Sequence, residues 1–179
     1  YKIKKNLNII CFNQKQLIGN GLVLPSGPLR ENLNALKDAN IILINGTKNT
    51  IFENKILNIN QNLKIFYANY KPVNIEQFKS RKFIALAAIG NPGNFFDLLD
   101  EHEIDIIQKL IYPDHYKFSK KEISKIIDEA NENKAGIIIT EKDYFKVKEF
   151  KFDNIEYLKV LLEINEKDKF LKLISKIYD

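Results

Sequence analysis

The sequence predicts an α/β protein built on a mostly parallel sheet that helices cover on both faces. Three observations carry that expectation. Brief, β-branched apolar runs bounded by breakers alternate with amphipathic segments of helical period. These runs are nearly continuous instead of alternating, as strands buried on both faces are. Short polar motifs collect where the runs end, the edge at which open α/β sheets gather turns and helix N-termini.

Taken in order, "LNIICF" (7–12) is the first predicted strand. It is followed by "IGNGLVLPSGPLRE" (18–31), which packs three glycines and two prolines into a stretch that spoils both helix and strand. An amphipathic helix is expected over 29–38, after Pro28. Strands follow at "NIILIN" (40–45) and "LKIFYA" (63–68), and 69–81 reads as a linker. "KFIALAAI" (82–89) predicts a strand and 94–101, after Pro92, a helix. "IDIIQKLIY" (104–112) suits a strand or a helix. Ser119 and Glu122 form the S-x-x-E arrangement of a capping box, which opens a helix over 120–133. "GIIIT" (136–140) and "IEYLKVLL" (155–162) complete the strands. A last helix at 165–178 has Phe170, Leu171, Leu173, Ile174 and Ile177 as its apolar face.

The chain has 179 residues, 45% of them apolar, enough to bury the core of one domain or somewhat more. It opens on Tyr1 and contains no methionine, so a piece of a longer protein is expected. A single cysteine, Cys11, rules out an internal disulfide framework and fits a reducing cytoplasm. Cys11, His102 and His115 have no ligand spacing, so no metal site is expected among them. The net charge is +5, with lysines at Lys2, Lys4 and Lys5 and in 79–82 and 117–125. This balance permits contact with phosphates or an anionic membrane surface, beside the plainer reading of a solvated lysine-rich face. The aromatic residues do not interleave with the basic clusters, so no nucleic-acid partner is expected.

Most of the strand-end motifs have structural readings. Thr140 and Asp143 suit a helix cap, Asn91–Pro92 a helix start, Phe95 and Phe96 the core, and His102 a solvated helix position. His115 follows Pro113 and Asp114 in a turn, where an imidazole can exchange a proton near neutral pH or serve the structure. Two nucleotide motifs fail. "GNGLVL" has Leu24 where a dinucleotide fingerprint needs its third glycine, and "NGTKNT" (45–50) lacks the spacing of a phosphate-binding loop.

Together "GNGLVLPSGPLRE", "AAIGNPGNFF", "YPDHYKFS" and "TEKDYFKV", in this order and at these separations, resemble the C-terminal half of the tetraacyldisaccharide 4′-kinases, the lipid A kinases of Gram-negative bacteria. The resemblance runs from about residue 7 to about residue 162. It implies a three-layer α/β/α, Rossmann-like, P-loop kinase-related fold in a two-domain protein that here lacks its N-terminal part. Residues 1–69 are then the remainder of the nucleotide-binding domain, 70–161 a smaller α/β domain, and 162–179 a terminal helix able to pack back on the first. The implied activity moves the γ-phosphate of ATP, with Mg²⁺, to the 4′-hydroxyl of tetraacyldisaccharide 1-phosphate. The implied place is the cytoplasmic face of the inner membrane, on an anionic surface and as a monomer. The P-loop and the metal-binding acids belong to the missing half, so this chain alone is expected to be inactive. By the same resemblance His115 and Asp114 are catalytic: His115, paired with a carboxylate from the missing half, assists the acid–base group that deprotonates the sugar hydroxyl, and Asp114 orients the turn or the histidine. Glu31, Arg30, Asn20, Gly19 and Gly21 lie at the nucleotide, with Arg30 facing anionic groups or a structural carboxylate. Four positions depart from the family pattern: Asn13 for an acid, Ala88 for a glycine, Asn32 for a proline and Tyr116 for a second histidine. The rival expectation is a non-catalytic α/β binding module that inherited the fold.

Overall fold

The structure, a computed structural model, describes residues 6–176. Lys2, Lys4, Lys5 and Ile177 lie outside the described residues. In chain order the strands and helices are β1 (Ile9–Asn13), β2 (Ile41–Asn45), α1 (Thr50–Leu57), β3 (Lys64–Pro72) and β4 (Lys82–Ala87). There follow α2 (Gly93–Glu101), β5 (Asp105–Ile111), α3 (Lys120–Glu132), β6 (Gly136–Thr140) and α4 (Glu141–Val147). The chain then forms β7 (Ile155–Leu158), β8 (Val160–Ile164) and α5 (Lys167–Ser175). These elements divide into two compact units, Tyr1–Lys71 with Leu162–Asp179, and Pro72–Leu161.

The first unit holds the sheet β1-β2-β3-β8, in which β1, β2 and β3 run parallel in register from Ile9↔Ile41 and Ile41↔Lys64. Its centre is β2, where Ile41, Ile42 and Ile44 are fully buried. Ile42 and Ile44 pack with Phe52 and Ile56, one turn apart on α1, and Phe12 meets Phe52 edge to face at 5.0 Å. Phe66 of β3 meets Phe170 of α5 at 5.2 Å.

The second unit holds the all-parallel sheet β5-β4-β6-β7. Side chains on β4 alternate between two cores. Phe83, Ala85 and Ala87 pack with Phe95 and Leu99 of α2, while Ile84, Leu86 and Ala88 pack with Ile123, Ile126 and Ile127 of α3. Every residue from Phe83 to Ala88 is buried, which explains the unbroken apolar run and makes this unit three-layered, α/β/α.

The structure corrects several expectations. Residues 29–38 do not form one helix: only Leu33–Asp38 turn, as a 3₁₀ segment capped by Asn32. Leu29 is held extended because its carbonyl accepts the Leu24 N–H (2.8 Å) and its N–H reaches the Leu22 carbonyl (3.2 Å). Helix α1 went unpredicted, since a single i,i+4 apolar pair in eight residues gives little periodicity. The 104–112 run is strand β5. Residues 155–162 are two strands instead of one. Asn74 interrupts them, donating to the Tyr157 carbonyl (2.9 Å) and accepting the Lys159 N–H (2.8 Å), so that β7 joins β6 and β8 joins β3. On α5 Leu171 is exposed and no residue is fully buried. His102 is not simply solvated, because its Nδ1 lies 2.9 Å from the Leu98 carbonyl at the end of α2.

The 69–81 segment is not a free linker either. It finishes β3, then forms a 3₁₀ turn at Ile75–Phe78 whose Phe78 is wholly buried and meets Phe83 edge to face at 5.5 Å. Deleting a buried ring leaves a cavity that a close-packed core cannot refill. We expect Phe78→Ala to cost roughly 3–5 kcal/mol in denaturant unfolding. A change below about 1 kcal/mol would mean that the segment behaves as the linker its sequence suggests.

Candidate functional site

In the second unit the carboxyl ends of three adjacent parallel strands bring their loops together. Strand β4 runs into Ala88–Gly93, β5 into Tyr112–Phe118, and β6 into α4. Neighbouring parallel strands end side by side, so residues far apart in sequence meet at this edge.

The anchor is Asp143, the buried charged residue of the described core. One carboxylate oxygen, Oδ2, accepts the Ala88 N–H and the Thr140 hydroxyl, each at 2.8 Å. The other, Oδ1, accepts the Lys146 ammonium at 2.6 Å, and Lys146 also donates to the Ala88 carbonyl at 3.0 Å. Thr140 in turn accepts the Asp143 N–H at 3.1 Å as the N-cap of α4, the role its spacing suggests. The cap is legible from residues three apart. The reach to Ala88 spans 55 positions and leaves no local signal.

Above this anchor lies the Pro113–Tyr116 turn, closed by the Tyr116 N–H to the Pro113 carbonyl at 3.1 Å. His115 has φ +61°, the left-handed conformation that the third residue of a type II turn requires. Its side chain is 77% exposed and therefore accessible to a substrate. Asp114 Oδ1 accepts the His115 N–H at 2.9 Å and Lys142 Nζ at 3.3 Å, while Oδ2 lies 3.6 Å from His115 Nε2. Desolvation works against ionisation of Asp114, yet the Lys142 hydrogen bond and the neighbouring His115 outweigh it and hold the carboxyl below its ordinary range.

Tyr116 fastens the turn to α3. Its hydroxyl donates to Glu122 Oε1 at 2.5 Å, and its ring packs on Tyr112 (4.9 Å) and Phe118 (5.1 Å). Glu122 completes the capping box predicted with Ser119, accepting the Ser119 N–H (2.8 Å) and hydroxyl (2.6 Å) on Oε2. The Ser119 and then the Tyr116 hydrogen bonds pull the Glu122 carboxyl down to about 2.

In the first unit the glycine- and proline-rich stretch forms a turn fastened by its own atoms. Asn20 donates to the Ser26 carbonyl (2.8 Å) and accepts the Leu22 N–H (3.1 Å), so its amide is engaged within the turn. A Cβ on Gly27 would fall 2.3 Å from both Asn20 Oδ1 and the Leu22 carbonyl oxygen, which only glycine avoids. Gly19 has φ +53°, with Pro28 packed where a side chain would stand, and Gly21 has φ +80°. Beside the turn a groove of about 420 Å³ runs along β1, lined by Arg30 and Glu31 together with Asn13, Leu17 and Pro28. Arg30 and Glu31 are both exposed and lie in a bend, not at the start of a helix. Gly19, Asn20 and Gly21 shape the turn without lining the groove.

Among the described residues no three of His, Cys, Asp and Glu come together as a metal-ligand cluster. No described helix is long and apolar enough to cross a membrane.

A family model described as tetraacyldisaccharide-1-P 4′-kinase matches residues 1–179. A tetraacyldisaccharide 4′-kinase of Pelagibacter ubique (strain HTCC1062) is 40% identical over 181 residues, covering 97% of this chain and 58% of that protein. The enzyme of the same name from Rickettsia akari (strain Hartford) is 33% identical, covering 96% and 52%. That of Haemophilus influenzae (strain 86-028NP) is 31% identical, covering 100% and 52%. The chain thus spans about half the length of the curated relatives it matches. A crystal structure of LpxK from Aquifex aeolicus in complex with ATP shares the fold, with TM-score 0.65 at 20% identity, over 98% of this chain and 54% of that one.

Glu122 supplies a pH test of how the turn is held. Its folded pKa of about 2 lies below the ordinary 4.5, so the stability it contributes is fully present above pH 4.5 and is lost as pH falls through 2. In urea unfolding Glu122→Gln is expected to be less stable than the parent at pH 7, with the gap closing between pH 4.5 and 2. A gap independent of pH would show that the carboxylate's charge does not hold the turn.

Proposed function

Because the chain belongs to the tetraacyldisaccharide-1-P 4′-kinase family, we propose that it is the C-terminal part of an ATP-dependent kinase of lipid A biosynthesis. In the whole enzyme the γ-phosphoryl group of ATP passes to the 4′-hydroxyl of tetraacyldisaccharide 1-phosphate. The observation that carries this reading is the family match across every residue of the chain. The accessible His115 beside an ionised Asp114 at the carboxyl edge of the parallel sheet supports it.

His115 acts in the acid–base group of the site, paired with a carboxylate from the part of the enzyme this chain does not span. As the hydroxyl oxygen forms its bond to the γ-phosphorus and the bond to the departing ADP breaks, this group takes the hydroxyl proton. Phosphoryl transfer depends mostly on positioning and charge neutralisation, so the group supplies part of the rate and Asp114 orients the histidine. In the first unit Glu31 faces the nucleotide and Arg30 the anionic groups. Gly19, Asn20 and Gly21 form the turn that sets the groove's edge. Mg²⁺ neutralises phosphate charge when bound. By the family resemblance its ligands belong mainly to the part of the enzyme this chain does not span. The failed phosphate-loop motifs likewise make this chain inactive alone.

The enzyme works as a peripheral monomer on the anionic cytoplasmic face of the inner membrane. The exposed Leu22 and Leu24 of the turn and the net charge of +5 suit such a surface.

The test is transfer of labelled γ-phosphate to the disaccharide by the full-length protein that contains this chain. His115→Ala is expected to lower kcat by roughly 10²–10⁴-fold, the usual share of a general base. Glu31→Ala is expected to raise the KM for ATP. Absence of transfer by the parent would overturn the reading in favour of a non-catalytic binding module, and full activity in both variants would overturn the roles given to His115 and Glu31.

A further inference from the structure

Lys142 is the long-range partner of Asp114. It occupies the second position of α4, immediately before Asp143, whose four hydrogen bonds fix the start of that helix against the end of β4. The backbone beneath Lys142 is therefore held from both sides, while its ammonium extends to Asp114 Oδ1 at 3.3 Å. Loops after three strands converge on this one carboxylate: His115 after β5, Lys142 after β6, and Gly90 after β4. A Cβ on Gly90 would lie 3.2 Å from Asp114 Oδ2.

Asp114 is engaged on both oxygens. Oδ1 takes the backbone N–H of His115 and Lys142, and Oδ2 faces the imidazole. Without Lys142 the carboxylate keeps only contacts to its own neighbour, made through one exposed turn. A side chain with 41% exposure and two rotatable bonds then gains freedom to leave the imidazole.

We propose that Lys142 is a positioning residue of the kinase site, orienting Asp114 and through it the imidazole of His115. The inference rests on the reading of His115 as part of the acid–base group. Lys142 touches no reacting atom: it restricts Asp114 to the orientation that faces Nε2. Misplacement of a catalytic group by even a fraction of an ångström lowers turnover while leaving ground-state binding intact.

Two measurements test it. In the first, carboxyl ¹³C NMR follows the titration of Asp114 in this chain as it stands, in the parent, Lys142→Met and Lys142→Arg. The Asp114 pKa is expected to rise toward the ordinary carboxylate value in Lys142→Met and to return in Lys142→Arg, with the backbone spectrum confirming that each variant is folded. In the second, the full-length enzyme carrying Lys142→Met is expected to lose roughly ten- to a hundredfold in kcat, a fraction of what losing His115 costs. The KM values for ATP and disaccharide should be unchanged, with recovery in Lys142→Arg. An unaltered Asp114 titration, or a loss confined to KM, overturns the proposal. A parent enzyme without kinase activity overturns the function instead, and the NMR comparison then still decides the Lys142–Asp114 pair.

Discussion

The second unit depends on one buried carboxylate. Asp143 sits at the seam between β4, β6 and α4 with no exposed surface, a placement that an unsatisfied charge could not hold. It is tolerable because every polar atom around it is engaged. Both backbone groups of Ala88 are tied, the N–H to Asp143 and the carbonyl to Lys146, and Thr140 closes the ring from the end of β6. Among the described residues no buried side-chain polar atom lacks a partner. The lock fixes where β4 ends and where α4 begins. Those two points set the loop after β4 and the direction of Lys142.

From this lock the site is built outward through progressively more exposed groups. Asp143 is buried, Asp114 partly exposed and His115 mostly exposed, so rigidity falls and access rises toward the imidazole. The turn that carries His115 is stiffened from its other side by the Tyr112–Tyr116–Phe118 rings and the Tyr116–Glu122 hydrogen bond. A functional side chain on a loop needs such support, since its own backbone bonds supply little of it. The first unit solves the same problem locally. There the Asn20 amide and the close approach at Gly27 brace the turn from within, and the exposed Arg30–Glu31 pair follows in a bend. Glycine suits 18–31 because Gly27 lies against the Leu22 backbone and the Asn20 amide, and Gly19 against the Pro28 ring, at distances a Cβ would not permit.

The amino-acid sequence by itself determined β1, β2, β3, β4 and β6, the helices α2, α3 and α5, the capping box at Ser119–Glu122, the Thr140 cap and the family to which the chain belongs. These are local facts: burial on both faces writes an unbroken apolar run, and a cap needs only residues three apart. Tertiary structure alone decided the rest. Asn74 splits 155–162 into two strands from more than eighty positions away, and Leu29 pairs back to Val23 where a helix was expected. Lys142 finds Asp114 across 28 positions and Asp143 finds Ala88 across 55. Periodicity records which face of an element is buried, but it carries no trace of which distant polar group will stand opposite. That pairing arises only when parallel strands end side by side and bring their loops together.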